Sequence, residues 1–383
     1  MPIIVHIDMN CFFASCEVKK DPSLKGKKII IGGLSSRGIV SACSYEARKD
    51  GIYTTMPIYK AKQLCPDGIF LPVDHSYYQQ VSDEIFSYLK SIYKIVDVAS
   101  IDEAYIDMSD ENIGKEPLKY FQNLQKYIYE NIHIPCSIGV SYCRFLAKMG
   151  SDYKKPLGIT IIKKKDVPNM IYKLPIGDAY GCGKQTSQKL NDIGIKTIGD
   201  FVNSDDYRVR EILGSFYDHF KDECMGNVSE HIVIKDEPIK SIGNSHTLER
   251  NTDDYEVIKE NISYLCDMVS NRLKAHNMLG YTITLTIKDA NFVSKNRSKQ
   301  INLPTDDNDK IFIECLKLFD KFTTKVVRLV GVSVSTLIPK SQYFEQLTIF
   351  SKQNEDNKDI NVLISKLNKV AGSNIFIKAS DKR

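Results

Sequence analysis

The sequence predicts an α+β protein of several domains, and three observations lead to this class. Before residue 162, segments with strand and helix patterns follow in the order strand, helix, strand, strand, helix, strand, the order of a ferredoxin-like unit. The segment Leu174–Gly226 then contains short helices with glycine turns and lacks a strand pattern. From Ser241 to Pro339 helices and strands alternate again. A chain of 383 residues has room for roughly two to four domains.

The composition is that of an ordinary globular protein. Hydrophobic residues make up 42% and charged residues 26%, which excludes a disordered chain or a fibre. No apolar run approaches the roughly 18 residues of a membrane span, and the N-terminus lacks the basic start of a signal peptide. The ten cysteines include no CxxC pair, so we expect free thiols in a cytoplasmic protein without a membrane partner. The net charge of +4 permits nucleic-acid binding without implying it.

Hydrophobic patterning locates the elements of the first part. Ile3–Asp8 is a short apolar run that ends in a carboxylate, and it predicts a buried strand. Apolar residues at three- and four-residue spacing predict a helix over Ser76–Lys94. Two β-rich runs, Ile95–Ala99 and Ala104–Met108, predict a hairpin. The other predicted elements are the helices Cys11–Lys20, Tyr45–Asp50, Pro117–Ile132 and Arg144–Tyr153, and the strands Lys28–Gly33, Ile39–Ala42 and Cys136–Tyr142.

The later part of the chain begins with a charged segment, Val228–Lys240, which contains Pro238 and which we expect to be an extended linker. The predicted elements after it are the helices Tyr255–His276 and Asp309–Phe322, and the strands Tyr281–Ile287, Asn296–Leu303 and Val326–Leu337. From Ser341 the chain is polar at first and then has one amphipathic stretch, Ile360–Val370.

Three carboxylates are candidates for a metal site: Asp8 ends the first strand, and Asp102 and Glu103 lie in the hairpin. Adjacent side chains on a strand point to opposite faces, so Asp102 and Glu103 share a site only if the chain turns between them. Carboxylates at strand ends of one sheet suit two Mg²⁺ ions, which prefer oxygen ligands. The alternative is that Asp102 is a turn residue and Glu103 a solvated neighbour. We expect His6, inside the first strand, to be a packed core histidine and not a ligand.

Three further residues could bind phosphate groups. Tyr45 and Arg48 are three residues apart and share a helix face, and arginine pairs bidentately with phosphate oxygens. Lys155 precedes Pro156, which favours an extended backbone at the lysine. The alternatives are a surface pair on the helix and a solvated lysine. The sequence contains no Walker A loop and no Ser/His/Asp arrangement.

Two segments have patterns typical of proteins that bind the DNA backbone. Gly181 and Gly183 open a predicted helix that ends at Gly194, and a second helix begins near Thr197, which is the helix–hairpin–helix pattern. In the later part, three positive charges at period two share one strand face: Lys295, Arg297 and Lys299. The alternatives are an ordinary pair of helices and a solvated sheet face.

Together these segments resemble the Y-family, or translesion, DNA polymerases of the bacterial DinB-like type. The resemblance covers the chain from Ile3 to about Phe350. The matching stretches are HIDMNCFFASCE, RGIVSACSYEARKDGIYTTMP, SIDEAYIDMS, GVSYCRFLAKMGSDYKKPLGI, the helix–hairpin–helix and KSIGNSHTLERN. Asn10 departs from the pattern, since many members carry Asp there, and DMN with ASCE is also similar to the UmuC-like branch.

The resemblance implies a right-hand polymerase. Its parts would be a ferredoxin-like palm, small fingers, a helical thumb with the helix–hairpin–helix, a linker, an α+β little finger and a tail. In this sequence they map, in that order, onto residues 1–10 with 75–162, 11–74, 163–227, 228–239, 240–340 and 341–383.

The resemblance also implies roles for individual residues. The catalytic metal ligands, for two Mg²⁺ ions, map onto Asp8, Asp102 and Glu103 and the backbone carbonyl of Met9. The nucleotide contacts map onto Phe12, Phe13, Tyr45, Arg48 and Lys155, of which Phe13 would exclude a 2′-hydroxyl. Contacts to the DNA backbone map onto Gly181, Gly183, Lys184, Ser245, Lys295, Arg297 and Lys299.

The function implied is low-fidelity, template-directed DNA synthesis past damaged bases, with primer–template DNA and dNTP as partners. Two other classes remain as alternatives: a DNA-binding accessory protein with an inactive polymerase fold, and a two-metal nuclease. The joint presence of three carboxylates argues against the first. A nuclease would not need the aromatic residue beside Asp8 or the Tyr45 and Arg48 pair.

The tail contains a short apolar motif, Gln346-Leu347-Thr348-Ile349-Phe350, followed by a polar run. It resembles the QLxLF-type peptide with which bacterial polymerases bind the ring-shaped sliding clamp. Leu347, Ile349 and Phe350 would be apolar anchors in a pocket, and Gln346 would hydrogen-bond at its rim. The alternative is that these residues cap the core of the little finger. We expect the polymerase itself to be a monomer.

Overall fold

The computed structural model describes residues 1–234, 238–324 and 326–343. The chain divides into two compact units, residues Met1–Pro238 and a second unit that begins at Ile239. No helix within the described ranges is long and apolar enough to cross a membrane. The predicted clamp motif and the amphipathic stretch at residues 360–370 lie outside the described residues.

The first unit begins with mixed strands and helices. In chain order they are β1 (Ile4–Met9), α1 (Phe12–Lys20), β2 (Ile29–Gly32), β3 (Val40–Cys43), α2 (Tyr45–Lys49), α3 (Ile58–Leu64), β4 (Ile69–Leu71), α4 (His75–Ile92), β5 (Ile95–Val98), β6 (Glu103–Asp107), α5 (Pro117–Ile132), β7 (Cys136–Ser141), α6 (Arg144–Tyr153) and β8 (Ile159–Ile161). The predicted elements are all present, within about two residues at each end. Three elements were not predicted: the helix α3 and the strands β4 and β8, which have three residues each.

A five-stranded sheet with the order β5-β6-β1-β7-β8 forms the centre of this unit. The first four strands in that order have the ferredoxin-like arrangement predicted from the sequence. β1 is antiparallel to both of its neighbours, and all six of its residues are buried. Val5, Ile7 and Met9 pack in a core that includes residues of α4 and α5. The alternate residues His6 and Asp8 therefore face the other side of the sheet, where α6 packs.

A smaller sheet of three strands, in the order β3-β2-β4, lies in the segment predicted as an insertion. Its core contains Ile30, Val40, Ala47 and Ile58. Because Ala47 belongs to α2, this packing fixes α2 on the small sheet. The exposed residues of α2 are thereby given a fixed position next to the end of β1.

The rest of the first unit is helical, as predicted. Its elements are α7 (Val167–Met170), α8 (Lys184–Asp192), α9 (Ile198–Asn203), α10 (Tyr207–Leu213) and α11 (Tyr217–Met225). The described segment 174–226 contains no strand. Its core includes Leu190, Phe201 and Phe220, and it continues onto α6 through Phe145, whose ring meets Phe220 edge to face.

The second unit is a four-stranded antiparallel sheet with two helices. Its elements are β9 (Ser241–Thr252), α12 (Tyr255–Ala275), β10 (Met278–Asp289), β11 (Ser294–Thr305), α13 (Asn308–Phe319) and β12 (Val327–Pro339), and the strand order is β11-β10-β12-β9. Ile283, Leu285 and Ile287 on β10 pack with both helices, so one sheet face is covered. The other face is lined by hydroxyl residues such as Thr284 and Ser333.

β9 is the longest element that sequence analysis missed. Among its twelve residues only Ile242 and Leu248 are buried, and they are an even number of residues apart with polar residues between them. The strand is held by pairing with β12, for example Ile242 opposite Val334. Such backbone pairing leaves little trace in the hydrophobic pattern.

The predicted linker begins as a segment docked on the first unit. The amide of Ile232 donates to the Asp107 carboxylate at 3.0 Å, and the ring of His231 bonds to the same carboxylate at 3.0 Å. Ile232 is 4% exposed and packs against Ile4 and Tyr105. The segment is therefore fixed at least as far as Ile232.

Candidate active site

Strand register brings two of the three predicted carboxylates together. Asp8, near the end of β1, lies directly opposite Glu103, the first residue of β6. Directly opposed residues of an antiparallel pair have their side chains on the same face. Asp8 is 8% exposed, and ligand atoms of His6, Asp8 and Glu103 lie within 4.8 Å of one another.

Asp102 lies in the turn between β5 and β6. Its backbone carbonyl accepts from the Met9 amide at 2.9 Å, and its carboxylate accepts from the Ser100 hydroxyl at 2.6 Å. The turn interrupts the strand alternation between Asp102 and Glu103. A turn at this point is what sequence analysis required for the two side chains to share a site. Asp102 and Asp8 line one cavity.

Two lysines neutralise these carboxylates. The Lys148 ammonium lies 3.0 Å from Asp8 Oδ2 and also pairs with Glu103 Oε2. The Lys155 ammonium lies 2.7 Å from Asp8 Oδ2 and 2.6 Å from Asp152 Oδ1. Buried carboxylates need such partners, because an unpaired buried charge is costly.

Close packing of α6 on the sheet delivers Lys148 to this site. At Gly139 of β7, a Cβ atom would lie 1.9 Å from the carbonyl oxygen of Ala147. Any larger residue at this position would push the helix outward. The absence of a side chain at Gly139 thus lets the next residue of the helix, Lys148, reach the carboxylates.

The pKa values of the two hairpin carboxyl groups, Asp102 and Glu103, are shifted in opposite directions. Interaction with His6, whose Nε2 lies 3.4 Å from Glu103 Oε2, and then with the Lys148 ammonium lowers the pKa of Glu103 to about 2. Burial raises the pKa of Asp102, and the charge of Asp8 adds to that effect. Glu103 is therefore the more firmly ionised of the two.

His6 is completely buried, as expected for a core histidine, and its ring packs on Tyr105 with centroids 4.5 Å apart. Its Nδ1 bonds to the Ser151 hydroxyl at 2.8 Å. Burial lowers the pKa of His6, which favours the neutral ring. Its Nε2 has no hydrogen-bond partner in good geometry and points towards Glu103. No pattern in the sequence indicates this contact, which depends on strand pairing.

The donor set fits divalent metal ions with a preference for oxygen. Asp8, Asp102 and Glu103 offer carboxylate oxygens from two adjacent strand ends, and Met9 adds a backbone carbonyl. Two ammonium groups already lie against Asp8, which shows that these carboxylates attract cations. The structure thus contains a candidate acidic metal site at His6, Asp8 and Glu103, and the inclusion of Asp102 and of the Met9 carbonyl stays a prediction.

A cavity of about 310 Å³ opens beside these carboxylates. It is lined by all of the residues predicted to contact a nucleotide: Phe12, Phe13, Tyr45, Arg48 and Lys155. Three small residues of the inserted segment, Ser41, Ala42 and Thr54, form another part of its wall. Carboxylates and cations thus meet at one cavity, as binding of a metal–triphosphate complex requires.

Tyr45 and Arg48 lie on the same face of α2, as predicted, with the guanidinium 5.3 Å from the centre of the phenol ring. Ser44 caps the helix by accepting from the Ala47 amide. In the described part of the chain, Arg48 makes no ion pair with a carboxylate. Its charge is therefore available to an anion in the cavity.

Phe13 lies in the first turn of α1 and stacks on Tyr78 of α4, with centroids 4.4 Å apart and a 20° interplanar angle. The Tyr78 hydroxyl in turn donates to Glu17 at 2.7 Å. Phe12, which also lines the cavity, is buried in the main core. Phe13 is thus the aromatic residue with a firmly held ring at the cavity wall.

The helix–hairpin–helix is present as α8 and α9. Gly183 is the N-cap of α8, and both Gly183 and Lys184 are exposed. Gly181 and Gly194 have φ angles of +92° and +94°, which other residues rarely adopt. Thr197 caps α9 and forms a capping box with Asp200. The first turn of α8 therefore presents its backbone amides to solvent.

The residues of the second unit that were predicted to contact DNA lie on two faces of its sheet. Lys295, Arg297 and Lys299 share one face, as predicted, but they lie opposite Ile287, Leu285 and Ile283, so this is the helix-covered side. All three are exposed; Lys299 pairs with Glu314 at 3.2 Å, and Arg297 lies over the Phe322 ring. Ser245 is on the open face, opposite Gly331.

Sequence reasoning missed one residue of the site, Lys148. Its helix was predicted, but the contact of Lys148 with both carboxylates depends on how α6 crosses the sheet. Its partner Lys155 was found only because it precedes a proline in a recognisable stretch. The contact of Lys148 with the carboxylates is recognisable only after the fold is known.

Comparison with known proteins agrees with this geometry. The model of the impB/mucB/samB family matches residues 7–152, and the model of the impB/mucB/samB family C-terminal domain matches residues 239–349. A protein of Oceanobacillus iheyensis named DNA polymerase IV is 39% identical over 99% of this chain and 92% of its own length. DNA polymerase IV 1 of Bacillus subtilis is 38% identical with the same coverage.

Solved structures are also similar. A Y-family DNA polymerase chimera, Dbh-Dpo4(243-245)-Dbh, has a TM-score of 0.79 and 26% identity, covering 88% of this chain and 99% of that chain. An insertion ternary complex of Dbh DNA polymerase has a TM-score of 0.59 and 26% identity, with the same coverage.

The mixed α+β architecture, with its polymerase core and little-finger domain, is the fold of the Y-family DNA polymerases. Within that class, the chain belongs to the impB/mucB/samB family.

Proposed function

We infer that this chain is a DNA-directed DNA polymerase of the Y family that carries out low-fidelity translesion synthesis. One observation carries this inference: the strand-end carboxylates lie beside a cavity that is lined by Tyr45, Arg48 and Lys155. The full-length similarity to DNA polymerase IV of other bacteria supports it.

The reaction joins the primer 3′-hydroxyl oxygen to the α-phosphorus of a dNTP, while the bond between the α-phosphorus and its bridging oxygen breaks and pyrophosphate leaves. Asp8, Asp102 and Glu103, with the Met9 carbonyl, would hold two Mg²⁺ ions. When bound, these ions increase the acidity of the primer hydroxyl and neutralise charge on the triphosphate.

The side chains of the cavity have separate tasks in this proposal. Arg48, Tyr45 and Lys155 bind the phosphate oxygens and offset the charge that develops on the leaving pyrophosphate. Lys148 limits repulsion between Asp8 and Glu103 before substrate binds. Phe13 lies beneath the sugar and excludes ribonucleotides, because a 2′-hydroxyl would collide with its ring, which is held by Tyr78.

We also propose the assignment of domains by the family pattern. Residues 1–10 and 75–162 would form the palm, 11–74 the fingers, 163–227 the thumb, 228–239 the linker, 240–340 the little finger and 341–383 the tail. The separation of the two units near residue 238 supports the boundary between the linker and the little finger. Ten free cysteines support a cytoplasmic location.

The DNA would be bound by its backbone through the two units separately. The exposed start of α8 at Lys184, with the preceding Gly181 and Gly183, offers amides and one positive charge. In the second unit Ser245 lies on the hydroxyl-lined face, while Lys295, Arg297 and Lys299 line the exposed edge. Binding of this kind does not depend on sequence and weakens with salt.

Primer extension on a plain template with four dNTPs and Mg²⁺ tests the proposed activity. Template-directed extension is expected. Shortening of the primer would indicate a nuclease, and binding without extension would indicate an accessory protein. Ribonucleotides should be used poorly by the natural chain and much better by Phe13→Ala, whereas equal loss with both sugars would mean that Phe13 is only a packing residue.

A second proposal concerns the tail, where Gln346, Leu347, Ile349 and Phe350 would bind a sliding clamp of the β type. The sequence motif supports this proposal. Tethering to a clamp would raise the effective concentration of a weak polymerase at the primer end. Leu347→Ala with Phe350→Ala should abolish stimulation by the clamp and leave basal extension unchanged. Sedimentation of the free polymerase should show a monomer. Undiminished stimulation of the double variant would contradict the assignment.

A further inference from the structure

We propose that Asn10 and Gln125 are positioning residues. Their side-chain amides hold the backbone N–H and C=O of Leu157 and thereby direct Lys155 towards the nucleotide. The inference rests on the proposed role of Lys155 in binding the triphosphate. It adds two residues for which neither motif nor charge predicts a function.

Asn10 connects the end of β1 to the loop that follows Lys155. Its side chain is almost completely buried, at 2% exposed. Its Oδ1 accepts from the Leu157 amide at 2.8 Å, and its Nδ2 donates to the Ser137 hydroxyl at 2.9 Å. The residue is also fixed through its backbone, because its amide donates to the Pro135 carbonyl at 2.8 Å.

Gln125 holds the other end of the same residue. Its Nε2 donates to the Leu157 carbonyl at 3.0 Å and to the Cys136 carbonyl at 2.8 Å. The N–H and the C=O of Leu157 are thus each bonded to a side-chain amide from a different element, one following β1 and one on α5.

Leu157 needs this support because its backbone is left-handed, with φ at 61°. This conformation is unfavourable for a leucine. Its side chain is 52% exposed, so burial does not stabilise it. The hydrogen bonds to Asn10 and Gln125 therefore hold the Leu157 backbone in this conformation.

The conformation at Leu157 decides where Lys155 is directed, since only Pro156 separates them. The Lys155 ammonium reaches Asp8 at 2.7 Å and lies at the wall of the nucleotide cavity. A lysine side chain is flexible, so its precise placement depends on the backbone from which it starts. Release of Leu157 would let the ammonium move away from the triphosphate while the carboxylate site stays intact.

Single-nucleotide incorporation separates positioning from structural loss. Asn10→Ala and Gln125→Ala should each raise the KM for dNTP by about tenfold and lower kcat by less than about threefold, since Lys155 already binds phosphate oxygens in the ground state and strengthens that contact only in part as charge develops. Asn10→Asp should stay near the natural enzyme, because a carboxylate accepts both from the Leu157 amide and from the Ser137 hydroxyl. The control is Asn261→Ala, which removes an amide bonded to a backbone carbonyl on α12 and should change nothing.

A double-mutant cycle tests the route of the effect. In a Lys155→Ala background, Asn10→Ala should raise KM less than about twofold further, because the positioned group is already gone. A full tenfold effect in that background would overturn the proposal. If Lys155→Ala alone leaves KM unchanged, the proposed role of Lys155 fails instead, and the positioning role fails with it.

Hydrogen exchange gives a readout that does not depend on activity. The Leu157 amide should exchange faster in Asn10→Ala and at the natural rate in Asn10→Asp, with protection of β1 and β7 preserved. Unchanged exchange at Leu157 in Asn10→Ala would contradict the proposal. If Asn10→Ala fails to fold, Gln125→Ala, whose side chain is only partly buried, carries the same test.

Discussion

Both ends of the β1–β6 strand pair carry carboxylates, but the groups that pair with these carboxylates differ between the two ends. At one end Asp8 faces Glu103, and at the other Ile4 faces Asp107. Asp8 and Glu103 are paired with lysine ammonium groups. Asp107 is bonded mainly to groups that are fixed by the backbone: the Ser109 amide at 3.0 Å, the Ser109 hydroxyl and the Ile232 amide at 3.0 Å.

The difference shows which carboxylate is free to change partners. A lysine side chain can move aside when a metal or a phosphate arrives, because it hangs on a flexible stem. A backbone amide cannot move without local unfolding. The Asp8 end is therefore suited to binding and chemistry, and the Asp107 end is suited to holding the segment that leads out of the first unit.

The largest expected effect comes from breaking the Asp8 end. Glu103→Gln keeps the volume of the side chain and removes its charge. We expect the rate of nucleotide incorporation to fall on the order of 10³-fold, since loss of one metal-binding carboxylate removes several kcal/mol of transition-state stabilisation. The free energy of unfolding should also fall, by about 1–3 kcal/mol, because the lowered pKa of Glu103 means that the folded state stabilises its charge through His6 and Lys148.

Single-turnover incorporation and denaturant unfolding, measured on the same preparation, check both parts of this prediction. Incorporation near the natural rate would remove Glu103 from the site. Primer–template affinity is the internal control and should be preserved.

Asp107→Ala tests the other end and should lower stability without lowering activity. It leaves the Ile232 amide, which is buried, without an acceptor, so the free energy of unfolding should fall by about 1–3 kcal/mol. Incorporation by the folded fraction should stay within about threefold of the natural rate, since Asp107 is at the far end of the strand. A large loss of activity without a loss of stability would mean that the two ends are not functionally separate.

Sequence analysis identified the first end and not the second, for a physical reason. Asp8, Asp102 and Glu103 sit at the boundaries of apolar runs, and a charged residue at such a boundary is visible in the pattern. Asp107 was placed inside a predicted strand, where nothing distinguishes it, and its partner Ile232 is 125 residues away in a segment predicted as linker. Long-range bonds to backbone amides leave no pattern in a sequence.

The same reasoning explains the other outcomes. The palm-like sheet and the position of α2 were predictable because buried strands and amphipathic helices have clear periodicity. β9 was missed because it is held mainly by pairing to β12 and has two buried residues. The contact of Lys148 with Asp8 depends on close packing at Gly139, which no local pattern shows.

A smaller effect is expected from pH. Burial opposes ionisation of Asp107, but its hydrogen bonds from Ser109, the Ile232 amide and His231 outweigh burial and lower its pKa. A carboxyl group with a lowered pKa in the folded state contributes stability above its unfolded pKa of about 3.9, and this is lost as pH falls through the folded value. The stability difference between the natural chain and Asp107→Asn should therefore shrink as pH falls from 7 towards 3.

Urea unfolding of both proteins at several pH values between 7 and 3 measures that difference. A gap that stays constant down to pH 3 would show that the charge of Asp107 contributes nothing.

The smallest effect should come from His231→Ala, which asks whether the Asp107 end depends on backbone donors or on an ion pair. The His231 ring bonds to Asp107 Oδ2 at 3.0 Å, but its side chain is 65% exposed, and exposed pairs contribute about 0–1 kcal/mol. The Ile232 amide bonds to the same oxygen and is buried. His231→Ala should therefore lower the free energy of unfolding by no more than about 0.5 kcal/mol, well below the effect of Asp107→Ala, in urea unfolding at neutral pH. If both variants lose equal stability, the histidine and not the backbone amide holds the segment, and the two ends of the strand pair would then both depend on mobile side chains.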